Sequence, residues 1–140
     1  MKETSTAATV LIEDGKVLLV RHLKGADHLN DTFGLPAGRL EQDEGYTDAA
    51  IRELREETGL IAKPEDMTLL PLAYHALLER KNGKEAMVMK VFLCSKYTGG
   101  LQTSNETEPV WFVVNEIGSL NLIPNVANAI QQAVEFRNNK

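Results

Sequence analysis

Residues 38–60 read GRLEQDEGYTDAAIRELREETGL, and the rest of the chain is interpreted outward from this stretch. Thr47 to Thr58 is the clearest helix. Thr47 suits an N-cap, Asp48 suits the positive end of the helix dipole, and Gly59 suits the left-handed residue that closes a helix. Glu53, Glu56 and Glu57 stand at i, i+3 and i+4, which puts three carboxylates on one face. Ala50, Ile51 and Leu54 fall on another side and can meet a core. Neighbouring carboxylates repel one another and need positive charge. Arg52, four residues before Glu56, supplies part of it. A hard divalent cation supplies more, because magnesium takes oxygen ligands and commonly combines one or two carboxylates with water and phosphate oxygens. Taken alone, a helix of Glu and Arg is more often a solvated face than a metal site.

The flanking sequence predicts a mixed α/β domain. Thr6 to Glu13 reads as a strand, Asp14-Gly15 as a hairpin turn and Lys16 to His22 as the returning strand. Leu23 to Thr32 is a polar loop. Phe33 to Leu40 is short and extended, broken by Pro36 and Gly38. Met67 to Glu79 and Glu85 to Tyr97 read as long strands around an Asn82-Gly83 turn, and Val110 to Val114 as another strand. Pro124 to Arg137 reads as an amphipathic helix with Val126, Ile130, Ala133 and Val134 on one side.

Composition narrows the class. The 140 residues carry 20 acids against 15 Lys and Arg, a net charge of −5, which argues against broad binding of a nucleic-acid polymer. No apolar run approaches the ~20 residues that span a bilayer. Met1 to Thr6 is polar and lacks a signal-peptide core, so a cytoplasmic protein is expected, with no membrane partner. A single cysteine, Cys94, excludes an internal disulfide framework and a thiolate zinc cluster; in its apolar strand it reads as a small core residue. The acid is unevenly spread. Residues 38–60 hold seven acids and three bases, so −4 of the −5 lies in this one segment.

The wider spacing sharpens the reading. Gly38 is followed after five residues by Glu44, and after seven more by Arg52-Glu53-Leu54-Arg55-Glu56-Glu57-Thr58-Gly59-Leu60. This resembles the Nudix box at all nine specified positions. A chance match in a chain this long has a probability of about one in ten million or less. The strands before the box, the Phe33-Gly34-Leu35-Pro36-Ala37-Gly38 approach, and Trp111-Phe112 followed by a helix are similar to a single-domain Nudix protein of MutT type. Ala37 stands where many members carry Gly.

The resemblance implies one Nudix domain over residues 1–140, folded as an α/β/α sandwich with a mixed β-sheet. It implies cleavage of a phosphoanhydride in a nucleoside diphosphate linked to another group, with Mg2+ as cofactor and Mn2+ as a substitute. Glu56 and Glu57 look like the principal metal ligands, and Glu53 like a further ligand or the base for the attacking water. The carbonyl near Ala37-Gly38 looks like another ligand. Arg52 looks orienting, paired with Glu44 or a helix carboxylate. Gly38 and Gly59 look like backbone residues, needed for turns that a Cβ would hinder. One more acid after the box is expected, Glu106 ahead of Glu108. In this chemistry carboxylates hold metal, metal holds phosphate, water attacks phosphorus in line, and no covalent nucleophile is needed.

Substrate signals are thinner. The compact chain lacks the N-terminal extension of many nucleotide-sugar and ADP-ribose hydrolases, and the accessory motifs of NADH and coenzyme A pyrophosphatases. It is therefore expected to cut a nucleoside triphosphate, 8-oxo-dGTP being one example, to monophosphate and pyrophosphate. Hydrolysis of ADP-ribose or a dinucleoside polyphosphate is the alternative; a further one is nucleotide sensing without cleavage, against which the complete set of helix carboxylates argues. Asn125 reads either as a reader of the purine edge or as a helix cap. Leu35 packs on a base or in the core. His28 lies in a loop that borders the substrate in MutT-type enzymes, or is a plain loop residue. Arg21 and Lys24 meet phosphates or end in solvent. A small-molecule nucleotide is the expected partner, for a monomer or homodimer.

Overall fold

Asp14 and Gly15 both take positive φ, 52° and 76°, the backbone that joins two right-twisted strands through a two-residue turn. In the computed structural model, which describes residues 3–23, 31–80 and 83–139 (leaving aside the side chains of 78–80), this turn connects β2 (Ile12–Glu13) to β3 (Lys16–His22). The strand expected from Thr6 to Glu13 begins earlier and breaks at Leu11. Its first part is β1 (Glu3–Val10), and the break falls where the chain leaves one sheet for another.

The first sheet also contains β5 (Ala37–Arg39), β6 (Met67–Arg80) and β7 (Gly83–Cys94), in the order β5-β1-β7-β6. It is mixed: β1 runs parallel to β7 and antiparallel to β5, and β6 and β7 form an antiparallel pair. The register of that pair shifts between Leu69 and Ala73, around Pro71, which has no N–H to give the ladder. Gly83 pairs with Arg80 at the tip, while Asn82 of the expected turn lies outside the described residues. The second sheet is antiparallel. There β2 and β4 (Phe33–Gly34) share one edge of β3, and β8 (Thr107–Val113) takes the other.

Strand alternation divides the core between two helices, α1 (Tyr46–Thr58) and α2 (Val126–Asn138). Ala7 of β1 and Phe92 of β7 pack with Ala49 and Ala50 of α1, while Leu11, Leu18 and Cys94 pack with Leu54. Ala8, Val10, Val91 and Leu93 turn the other way and meet Val126, Ala129, Ile130 and Ala133 of α2. Helices therefore cover opposite faces of a mixed sheet, the expected α/β/α sandwich. Among the described residues no helix is long and apolar enough to cross a membrane.

The helix starts differ from expectation. α1 begins at Tyr46, with Gly45 in the cap position, because the Gly45 carbonyl already accepts the Ala49 N–H at 3.0 Å. Thr47 lies inside the helix and is not its cap. α2 begins at Val126 rather than Pro124, after Asn125 in a left-handed conformation. Gly59, at φ 87°, closes α1 as expected.

Candidate active site

The three glutamates of α1 share a face but differ in depth. Glu57 points at β5, where its Oε1 accepts the Ala37 N–H at 2.7 Å. Desolvation pushes its carboxyl up to about 8, against that hydrogen bond, and Glu53, Glu56 and Glu106 add repulsion. Glu53 lies against Gly38, so close that a Cβ there would collide with its carboxyl. Burial raises the Glu53 pKa, with Arg52 opposing. Glu56 faces outward, its side chain 49% exposed. Gly38 is thus required by a close approach, not by a turn.

Arg52 ties the helix to the loop before it. Its Nε and Nη2 donate to the two oxygens of Glu44, both at 2.8 Å, a bidentate pair. Nη1 donates to Glu53 at 2.7 Å and to Glu56 at 3.2 Å, and Nη2 also reaches the Arg39 carbonyl. Glu44 accepts the Glu41 N–H as well, and the Arg52 guanidinium holds its carboxyl down at about 2. The expected pairing of Arg52 with Glu44 and the helix acids is present.

Residues 98–107 close over the C-terminal end of α1. Ile61 and Thr98 exchange two backbone bonds of 2.9 Å, and the Gln102 N–H serves the Thr58 carbonyl at 2.8 Å. Gly59 has no room for a side chain here: a Cβ would stand 2.5 Å from the Gly100 carbonyl oxygen. This closure sets Glu106 near enough to repel Glu57. Glu108 belongs elsewhere, aligned with Arg21 across β3 and β8 and 3.7 Å from its guanidinium.

The substrate candidates are more scattered. Arg21 also bonds Asp31 at 2.8 Å, and alternation along β3 turns it toward the α2 side with Val17 and Leu19. Leu35, 4% exposed, is part of the core beneath α2. Asn125 stands at the start of α2 with φ 73°; its side chain caps nothing, and its Nδ2 lies 3.5 Å from the His75 carbonyl. Lys24 and His28 lie outside the described residues. Sequence reasoning passed over His22. It shares the α1 side of β3 with Leu18, lies beside Gly34, and is half-buried; burial lowers its pKa while Glu106 opposes. Alternation makes Arg21 and His22 face opposite ways, and the packing of Leu18 against α1 puts His22 on the side of the acids.

The sequence profile of the NUDIX domain matches residues 2–133. The chain belongs to the Nudix family and is a pyrophosphohydrolase of that family. It is 33% identical over 118 residues to a MutT-like protein of Streptomyces ambofaciens, covering 84% of this chain and 68% of that one. It is 27% identical over 135 residues to the human 8-oxo-dGDP phosphatase NUDT18, covering 93% of this chain but 38% of the human protein. The crystal structure of a MutT Nudix hydrolase from Burkholderia pseudomallei superposes with a TM-score of 0.79 at 23% identity, covering 94% of this chain and 98% of that one.

Nudix enzymes generally work with a divalent metal. In the arrangement seen, Arg52 draws oxygens of Glu53 and Glu56 to itself, and among the described residues no three acidic, histidine or cysteine side chains form a ready-made cage. The donor chemistry nevertheless fits a hard ion. Glu57 is a desolvated carboxyl repelled by three others, and the side chains gathered here offer oxygen.

Proposed function

We propose that this protein is a Mg2+-dependent hydrolase of nucleoside triphosphates, releasing a nucleoside monophosphate and pyrophosphate, with oxidised purine triphosphates such as 8-oxo-dGTP among its substrates. The observation that supports this reading is Glu57, a carboxyl enclosed beside the β5 backbone and crowded by Glu53, Glu56 and Glu106. A group so placed is satisfied by a cation.

A bound divalent ion reverses the local charge toward polyphosphate and acidifies bound water. Glu56, Glu57, Glu106 and the carbonyl near Gly38 are the groups proposed to hold it, with Mn2+ able to replace Mg2+. Glu53, seated against Gly38, holds the ion or takes the proton of the attacking water. Arg52 orients Glu53 and Glu56, and Glu44 fixes Arg52. Asn125 offers an amide donor and acceptor to the purine edge. Arg21 and His28 complete the proposed substrate contacts; Leu35, buried beneath α2, is a core residue and leaves that set. Residues 1–140 act as one domain, as a monomer or homodimer in the cytoplasm, on free nucleotides rather than polymers.

A second reading, cleavage of an oxidised nucleoside diphosphate, draws on the human relative named 8-oxo-dGDP phosphatase. The test is product analysis on dGTP, 8-oxo-dGTP, 8-oxo-dGDP, ADP-ribose and a dinucleoside polyphosphate, with Mg2+, Mn2+ or chelator. Pyrophosphate from a triphosphate, absent with chelator, is the expected result. ADP-ribose or a diphosphate turned over far faster than any triphosphate would overturn the substrate assignment.

A further inference from the structure

The acid outside the box sits in a turn that is tightly bonded. Ser104 Oγ accepts the N–H of Glu106 at 3.2 Å and the N–H of Thr107 at 3.0 Å, and the Ser104 N–H donates to the Thr107 carbonyl at 2.9 Å. On its other side the Glu106 carbonyl accepts the Leu23 N–H at 2.8 Å, tying it to the end of β3. Both backbone polar groups of Glu106 are therefore committed. Thr107 is 4% exposed, and its Oγ1 meets Ser104 Oγ at 3.0 Å and the Glu57 carbonyl at 3.4 Å. Thr107 Oγ1 donates to that carbonyl, and the Ser104 hydroxyl reaches both Thr107 Oγ1, at 3.0 Å, and the Thr107 carbonyl, at 3.4 Å. The two hydroxyls link the turn to the main chain of Glu57.

We infer that Ser104 and Thr107 are positioning residues that hold Glu106 at a set distance from Glu57, so that the two carboxylates can share one cation. The inference rests on the proposed role of Glu106. An acid at the tip of an unpinned loop would spend most of its time away from the ion, and a ligand held in place needs no ordering at binding. The same bonds serve a carbonyl of the last turn of α1, where helical pairing runs out. A purely structural latch is the rival account, and the two differ in how they respond to loss of Glu106.

The experiment is a mutant cycle on the full chain, reading Mg2+ binding to the nucleotide-free protein by calorimetry, and kcat, KM and the Mg2+ concentration for half-maximal rate on the best nucleotide of the substrate panel. Ser104→Ala and Thr107→Val are each expected to raise the Mg2+ requirement and lower kcat by about tenfold, with KM within about twofold, as losses of supporting groups around a metal commonly do. Thr107→Ser restores the wild-type Mg2+ requirement. In a Glu106→Gln background, neither Ser104→Ala nor Thr107→Val costs anything further. The same fold-loss in both backgrounds would overturn the inference and make the turn a structural latch; thermal midpoints of the variants establish that all are folded. If Glu106→Gln alone behaves as wild type, the proposed role of Glu106 fails, and this inference fails with it.

Discussion

The two faces of the central sheet are built on different terms. Beneath α2 the packing is apolar and mostly bulky: Val10, Val17, Leu19, Leu35, Val91, Leu93 and Ile130 fill it, with Phe33 and Phe112 against them. Against α1 small residues join the larger Phe92, Leu11 and Leu18. Ala7, Ala49, Ala50 and the bare Cα of Gly38 let the helix come close enough for Glu57 to reach the Ala37 N–H. That face also tolerates Thr9, whose buried hydroxyl is without a hydrogen-bond partner among the described residues. One face is packed for stability. The other gives up volume and polar satisfaction to bring carboxylates against a strand.

Breaking each face in turn should separate the two. Glu57→Gln is expected to leave the fold intact and to lower kcat on the order of a hundredfold or more, the effect of losing a metal ligand. Near wild-type turnover would remove Glu57 from the metal site. Ile130→Ala, on the α2 face, should cost about 2–5 kcal/mol in denaturant unfolding, with kcat unchanged at temperatures where the protein stays folded. Gly38→Ala should strike activity as well as stability. It displaces the Glu53 carboxyl, so activity should fall by about tenfold or more, while overpacking costs about 1–3 kcal/mol.

Within the α1 site, two carboxyls should respond to pH in opposite senses. Glu57 holds its proton to about 8 in the folded chain, against an ordinary value of 4.5 when unfolded. Folding therefore takes up a proton between these values. The contribution is fully present below 4.5 and is lost as the pH rises through 8. Glu44 acts in the opposite sense, since Arg52 holds it down at about 2: its contribution is present above 4.5 and lost as the pH falls toward 2. In chelator, thermal midpoints followed from pH 5 to pH 9 should decline up to about pH 8 and level off beyond it for the wild type, and lack that decline for Glu57→Gln. An equal decline in both proteins would assign the effect to other groups. The smallest effect belongs to Thr9→Val, which fills the same space without the unpartnered hydroxyl and should raise stability by about 1 kcal/mol. A loss of that size would mean that the hydroxyl has work to do.

The legible part of this site was the part written in local periodicity. The i, i+3, i+4 spacing put Glu53, Glu56 and Glu57 on one face of α1, and the Arg52 partnership with Glu44 is found as expected. Helical spacing carries no information about depth, so it could not say that Glu57 turns inward and Glu56 outward. The start of α1 was misplaced because Gly45 ends the loop without a polar side chain to announce a cap. Glu106 and Glu108 look alike in sequence. What distinguishes them is that strand pairing aligns Glu108 with Arg21, while Glu106 lies before the first residue of β8 and escapes the alternation. Ser104 and Thr107 gave no signal, because their role exists only when the turn closes on the end of α1.

The parallel pairing of β1 with β7 has a consequence for how the molecule is made. The central strand comes first in the chain, yet its partner arrives last among the strands of that sheet: the Thr6 hydroxyl bonds the carbonyl of Val88, 82 residues later. A chain growing from the ribosome presents Ala7 and Ala8 to solvent until that partner emerges. Contacts of such long sequence separation form slowly. The acid-bearing helix is complete long before the sheet that supports it, so nascent chains cut short before β7 should hold the whole box and still have no site.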